Sequence, residues 1–511
     1  MNKTLKSVTA LILALPIIIA CASCANNSNV DKNTLDNSDN SGESIVISGE
    51  DDTSVNDSYG LPSDLNYNNE TISIFHRAGS GFDEEFECDA ESSDLVEVAV
   101  YKRNRAVEEK LKVKLSYTGM QWHDTNYNAT ILNAARSGDN EYDIFSGPAY
   151  HIPILMTDGC YADLSQTKYL DFDKVWWANG INDGMAIDGK IFVATGDISL
   201  GYVKYLHCLI FNEDMYHDIY GESESLYEIV KNGEWTVEKM AEITNGVWYD
   251  EDRSGDKSEG DQFGYVLPNT NLMRAYIDAI NLNIIQIDEN GDAALWNENQ
   301  SHIHDAIETM NDYFSSKDVF YTTADVSNQK SYTIFKESRA MFVLGRLTDI
   351  SSTFRDVSGF TYGVVPLPKW DENDEYGVTI CGSESAFAIC SSLSDNDITR
   401  ASAVMEALAY ESYLNVTPAY YENALKIKYD MQDDKAIMLD LIRNGATFNP
   451  NVQLNKIINN GDLSDPKKSL DYSVCYAMLY EPTWMSLYDA SKASWQAALE
   501  SLTDIIRNIE T

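Results

Sequence analysis

Residues 250–261 hold the most sharply spaced chemistry in the chain: Asp250-Glu251-Asp252-Arg253-Ser254-Gly255-Asp256-Lys257-Ser258-Glu259-Gly260-Asp261. Counted as a twelve-residue loop, oxygen-bearing side chains fall at positions 1, 3, 5, 9 and 12, Gly255 stands at position 6 for a sharp turn, and the Asp256 carbonyl is offered at position 7. Hard oxygen donors in that order suit a calcium ion, held by Asp250, Asp252, Ser254, Asp256 and Asp261. A helix predicted from Thr236 to Tyr249 would lead into the loop, as an EF-hand-type site requires. Asp at position 12, where the standard loop has Glu, and Ser at position 5 point to a weak site. The alternative is a plain hydrophilic turn in a chain rich in carboxylates. Such an ion would be structural, and no other cofactor is called for.

The second set of residues could hold a small polar molecule. Nine Trp and 31 Tyr offer flat apolar faces to the C–H surface of a sugar ring and polar edges to its hydroxyls, although most aromatic side chains belong to a core. Trp122 and Tyr150 are the best placed, each in a loop that follows a predicted strand. His76 and Arg77 fall in the loop after the first strand. Arg346 follows a later strand and could bond vicinal hydroxyls or a carboxylate, or else form an ion pair with an acidic neighbour. Ser383 and Glu384 join the candidates from the turn Gly382-Ser383-Glu384-Ser385, which lacks the second Gly of a nucleophile elbow. No zinc-protease, phosphate-loop or dinucleotide motif occurs, so no catalytic residue is assigned. A secreted hydrolase with paired carboxylates is the alternative, since only their separation in space would reveal such a pair.

The elements that must position these residues alternate. Strands are predicted at Thr71–Phe75, Val113–Tyr117 and Tyr142–Phe145, with helices across Leu95–Leu111 and Tyr127–Arg136 between them. That order gives a parallel sheet covered by helices, with ligands at the carboxyl ends of its strands, where the loops starting at His76, Thr118 and Ser146 converge. Lys3 and Lys6 precede an apolar run from Val8 to Ala20, the length of a signal-peptide core, and the run ends in Ile18-Ile19-Ala20-Cys21, which resembles a lipobox with Cys21 as the lipidated residue. Residues 21–69 are rich in Asn, Ser and Asp and read as a disordered acidic linker. About 440 residues remain, enough for two lobes. A net charge of −44 argues against nucleic-acid or anionic-membrane binding and mildly against an anionic solute. The six cysteines beyond Cys24 are scattered and read as small buried hydrophobes, with one disulfide left open.

Several segments, in order, resemble the family 1 extracellular solute-binding proteins, sugar-binding lipoproteins of ABC importers in Gram-positive bacteria. They are Val100–Glu109, Gly138–Ile144, Gly159–Leu164, Ile210–Met215, Trp235–Met240, Ala340–Val343 with Gly345, and Tyr362–Pro368. The resemblance spans about residues 71–390 and implies a two-lobed, hinged α/β fold resembling periplasmic binding proteins, with a helical C-terminal third. Lobe 1 would comprise 70–204 with 381–511, and lobe 2 would be 205–380, including the hinge return. Gly196, Gly201 and Gly377 would absorb the hinge rotation. Tyr202 at the hinge and Trp484 near a C-terminal helix join the ligand candidates on the resemblance alone. It further implies a non-enzymatic, monomeric receptor on the outer face of the cell membrane. Such a receptor would pass a carbohydrate to an ABC permease; a peptide or other small solute, or a sensing role, stays open.

Overall fold

β-branched residues at Thr71, Ile72 and Ile74 favour extended backbone, and in the computed structural model strand β1 runs from Glu70 to Ala78. The structure describes residues 59–79, 81–123, 125–221, 224–268, 270–321, 329–425, 433–459 and 468–509. The signal-peptide reading of residues 1–20, the Cys21 lipidation site and most of the proposed linker lie outside these. Strand β2 (Val113–Gln121) pairs in parallel with β1 along its whole length, from Glu70 opposite Val113 to Ala78 opposite Gln121. Strand β3 (Ile144–Pro148) lies parallel on the other side. The strands therefore extend past their apolar runs. His76 and Arg77 sit within β1, and the crevice loops begin at Gly79, Trp122 and Ala149. This corrects the expectation that both residues lie in a loop; ladder hydrogen bonds to β2 hold them extended.

The next strands are β4 (His207–Asn212), β5 (Phe263–Val266), β6 (Val319–Phe320), β7 (Ala340–Arg346), β8 (Tyr362–Val365) and β9 (Ser385–Ile389). One sheet has the order β9-β3-β1-β2, with β9 antiparallel to β3. The other has the order β8-β4-β7-β5-β6, with β4 antiparallel to both β7 and β8. Two sheets, each with its helices, make the two-lobed α/β architecture.

The helices used below are α1 (Leu95–Leu111), α2 (Tyr127–Ser137), α3 (Leu200–Lys204), α4 (Val237–Thr244), α5 (Gln300–Ser315), α6 (Asp395–Glu411), α7 (Asp434–Asn444), α8 (Leu470–Leu479) and α9 (Trp484–Arg507). Asp94 caps α1 by accepting the Val96 N–H at 2.8 Å, and left-handed Lys112 ends it. The C-terminal third does not stay with the first lobe. Helix α6 packs on α1, but α7 packs on β8, α8 on α5, and α9 on the 293–295 strand of the second lobe. Apolar residues along α8, among them Val474, Cys475 and Met478, are buried there, so the 381–511 segment contributes to both lobes. The folded body also begins ahead of residue 70. Tyr59 stacks on Tyr410 with ring centroids 4.3 Å apart and bonds Glu411, while Leu61, Leu65 and Tyr67 pack on the core.

Two segments cross between the lobes side by side, joined by an antiparallel bridge between Leu206 and Ile380 and by a 2.7 Å hydrogen bond from His207 Nδ1 to the Thr379 carbonyl. The hinge glycines have a packing role. A Cβ on Gly196 would stand 2.3 Å from the Trp176 carbonyl oxygen, and one on Gly377 would stand 2.4 Å from that of Asp278. All six described cysteines are free thiols, five of them buried. Among the described residues no helix is long and apolar enough to cross a membrane.

Candidate ligand-binding site

Where the crossing segments end, a cavity of about 300 Å³ opens between the lobes. Tyr150, from the loop after β3, and Ser383, from the return to β9, form its first-lobe wall. His207 at the start of β4, Arg274 beyond β5 and Arg346 at the end of β7 form the opposite wall. Val452, Asn455, Lys456 and Asp471, before and at the start of α8, close it. Three of the sequence candidates, Tyr150, Arg346 and Ser383, thus line one cavity.

Tyr150 is held by its backbone, whose N–H donates to the Gly382 carbonyl at 3.1 Å. Gly382 has φ +82, and a Cβ there would meet the Tyr150 Cβ at 3.1 Å, so glycine lets the two chains meet. Trp122 stands edge-on to the Tyr150 ring with centroids 5.8 Å apart, and forms an aromatic rim beside the cavity. Burial pushes the His207 pKa down to about 3, so the ring is neutral. Its Nδ1–H donates to Thr379, which leaves Nε2 an acceptor without a partner among the described residues. Arg274 pairs with Asp471 at 2.9 Å and donates to the Cys381 carbonyl at 3.3 Å. Asp471 also accepts from Asn455 at 2.6 Å and from Ser469 at 2.8 Å.

Other candidates sit behind or away from the cavity. The His76 ring is buried and stacked on Phe86 at 4.1 Å, and burial lowers its pKa. Arg77 is buried over the Phe82 ring at 3.6 Å and bonds the Ser383 carbonyl at 2.7 Å, tying β1 to the return strand. Glu384 is fully buried within the hinge, where burial pushes its carboxyl up to about 7 against the lowering pull of Arg77. Tyr202, in α3, lines a separate cavity of about 450 Å³ with Arg443. Trp484 is fully buried and donates its indole N–H to Gln300 at 3.1 Å; it pins α9 to α5. For Arg77, Glu384 and Trp484 burial replaces the expected ligand contact. A third cavity of about 490 Å³, near Glu84, Asp94 and Glu97 and across from Arg355, has no comparable aromatic pair among its described residues.

The 250–261 loop brings oxygen atoms of Asp250, Asp252 and Asp261 within 4.8 Å of one another. The Ser254 N–H donates to Asp252 at 2.8 Å and the Gly255 N–H to Asp250 at 2.8 Å, curling the loop around the carboxylates. Asp261 is buried and accepts the Ser258 N–H at 2.8 Å. The Ser254 hydroxyl donates to the Asp256 carbonyl at 3.0 Å. The leading helix, however, stops at Thr244, whose hydroxyl bonds back to the Met240 carbonyl at 2.9 Å, and left-handed Gly246 follows. A bridge between Tyr249 and Gln262 closes the loop in place of the expected helix.

No protein-family model matches the sequence, and no curated protein does. Among solved structures the chain is similar to UspC of M. tuberculosis, with 12% identity, 84% of this chain and 100% of that one covered, and a TM-score of 0.51. It is similar also to the uncharacterized protein lmo0859 of Listeria monocytogenes EGD-e, with 10% identity, 84% and 100% covered, and a TM-score of 0.50. The chain shares their fold. The two-lobed α/β architecture implied by the sequence resemblance is therefore the one observed. What the sequence reading missed in the cavity is His207, Arg274, Asn455, Lys456 and Asp471. Lys456 and Asp471 belong to no motif and reach the cavity only through the packing of the C-terminal helices.

Proposed function

We propose that this chain is an extracellular solute-binding lipoprotein that captures a carbohydrate between its lobes and passes it to an ABC importer. The observation that carries the reading is the Tyr150–Trp122 aromatic pair beside an inter-lobe cavity lined with His207, Arg346 and Asn455. Flat rings suit the C–H face of a pyranose, and the polar groups suit its hydroxyls. The paired crossing segments form a hinge about which the lobes can close, so that the loaded form differs in shape from the open one. A non-enzymatic role is favoured because Asp471 is the one carboxylate among the described lining residues and is engaged by Arg274, whereas glycoside hydrolysis employs two. The tether through Cys21, the monomeric state and the place on the outer membrane face are part of this proposal and rest on the sequence.

A thermal-shift screen of mono- and oligosaccharides tests it, because a true ligand raises the melting point with dose. Stabilisation by peptides and by no carbohydrate would overturn the substrate class, and glycan turnover by the purified protein would restore the hydrolase. For a sugar found in the screen, Tyr150→Ala is expected to weaken binding by about tenfold or more in calorimetry, with the melting point of the free protein nearly unchanged. Unchanged affinity would move the sugar elsewhere.

The acidic loop is proposed as a structural calcium site of the second lobe, supported by its three converging carboxylates. At roughly 10 mM calcium, a site with a dissociation constant near 0.1 mM would add about 2–3 kcal/mol of stability. The double variant Asp250→Asn with Asp252→Asn should lose that increment. A calcium shift that persists in the variant would remove the ion from this loop.

A further inference from the structure

The acidity of the chain as a whole is reversed at the cavity wall. Arg274 is balanced by Asp471, but the two other cations lining the cavity are not balanced within it. Arg346 reaches Asp349 only through Nε, at 3.5 Å, and that carboxylate, which does not line the cavity, already accepts the Arg346 backbone N–H at 2.9 Å and the Tyr332 hydroxyl at 3.0 Å. The two terminal nitrogens of the Arg346 guanidinium have no hydrogen-bond partner among the described residues. Lys456 has no carboxylate within ion-pair distance among the described residues. Its ammonium instead donates to His151 Nδ1 at 2.9 Å and lies 4.6 Å from the centre of the Tyr150 ring.

The His151 contact fixes this cation in place. Burial, and after it the charge of Lys456, pushes His151 down to about 4, so the imidazole is neutral. Its Nε2–H donates to Asn128 at 2.8 Å, which leaves Nδ1 as the acceptor for the ammonium. The ammonium thus stands oriented at the edge of the aromatic face, with no carboxylate among the described residues to neutralise it. A planar guanidinium whose terminal nitrogens are unengaged among the described residues and a fixed ammonium, in one cavity, form a receptor for an oxyanion.

We propose that the cavity selects saccharides bearing an oxyanion, a carboxylate or a phosphate ester, gripped by Arg346 and Lys456 while the sugar ring lies against Tyr150. This rests on the carbohydrate-binding reading and deepens it. The negative charge of the chain surface does not oppose it, because the field inside a cleft is set by the groups that line it.

The test is calorimetry on the purified chain with probes paired to differ only in charge: oligogalacturonates against their methyl esters, and hexose phosphates against the free hexoses. The expected result is at least about tenfold tighter binding of one acidic partner, shrinking as salt is raised. Lys456→Gln and Arg346→Gln should each shrink the ratio of acidic to neutral affinity, with the acidic partner losing more than the neutral one. Preference for oligogalacturonates identifies the oxyanion as a carboxylate, and preference for hexose phosphates identifies it as a phosphate ester. Equal or tighter binding of the neutral partners by the unmodified protein would overturn this proposal and leave the carbohydrate reading standing. Binding of none of the saccharides would overturn both. The comparison of charged with neutral probes on the unmodified protein stays decisive should either variant fail to fold.

Discussion

Replacing Arg443 by Met is expected to cost about 3–5 kcal/mol of unfolding free energy, the largest loss from any single substitution considered for this chain. Arg443 and Asp197 form a buried pair, with side-chain exposures of 8% and 0%. Asp197 sits on the first crossing segment and also accepts the Thr417 hydroxyl at 2.6 Å. Arg443, near the end of α7, donates in addition to the Val175 carbonyl at 2.9 Å and lies 4.8 Å above the Tyr413 ring. Removing the cation leaves a buried carboxylate with no counter-charge among the described residues, and that desolvation cost dominates. Adding Asp197→Asn to Arg443→Met should therefore recover much of the loss, since it removes the stranded charge. Urea unfolding of the two single variants and the double variant measures this. Strictly additive losses, or a single-variant cost under about 1 kcal/mol, would show that the pair carries no such penalty.

The second large effect is on pH dependence. Burial pushes Glu384 up to about 7, from an ordinary value of 4.5. The folded chain thus holds this proton up to near neutrality, whereas the unfolded chain releases it near 4.5. Between those values the folded state binds more protons, so the contribution of Glu384 to stability is full below about pH 4.5 and is lost as pH rises to about 7. The difference corresponds to about 3 kcal/mol. Glu406, whose carboxylate accepts the Trp176 and Trp177 indole N–H groups at 2.9 Å each, is also raised to about 7 by burial and acts in the same direction. His207 and His151, lowered to about 3 and about 4, act in the opposite direction as pH climbs toward their unfolded value. For that reason the test is a difference. Glu384→Gln should gain stability relative to the parent between pH 5 and pH 8 by about 3 kcal/mol in paired urea titrations. Parallel pH profiles for parent and variant would sink the assignment.

Much of this architecture is legible in the sequence, and the failures share a physical cause. Helix α1 falls on the residues its apolar period selects, and the Thr236 cap stands where the sequence puts the start of α4. Strand ends were misjudged because the ladder between β1 and β2 continues through His76–Ala78, where apolar patterning has stopped but hydrogen bonding has not. Of the site, Tyr150 and Arg346 are legible from their positions after strands, and Ser383 from its turn Gly382-Ser383-Glu384-Ser385. Trp484 illustrates the opposite case: an amphipathic aromatic at a helix start is equally suited to a cleft and to a core, and only its 3.1 Å bond to Gln300 decides for the core. The side of the cavity closed by Lys456 and Asp471 could not be read locally, since both owe their place to the packing of the C-terminal helices.

The seating of Tyr59 on α6 has a mechanical side. Tyr59 joins the body through Tyr410 and Glu411, on the helix that packs against α1 of the first lobe. A pull on the chain ahead of Tyr59 would therefore meet the body first at that ring contact, on the first lobe. If the proposed tether holds the chain there, the second lobe is left free to move, much as a door hung from its frame swings however firmly the frame is held.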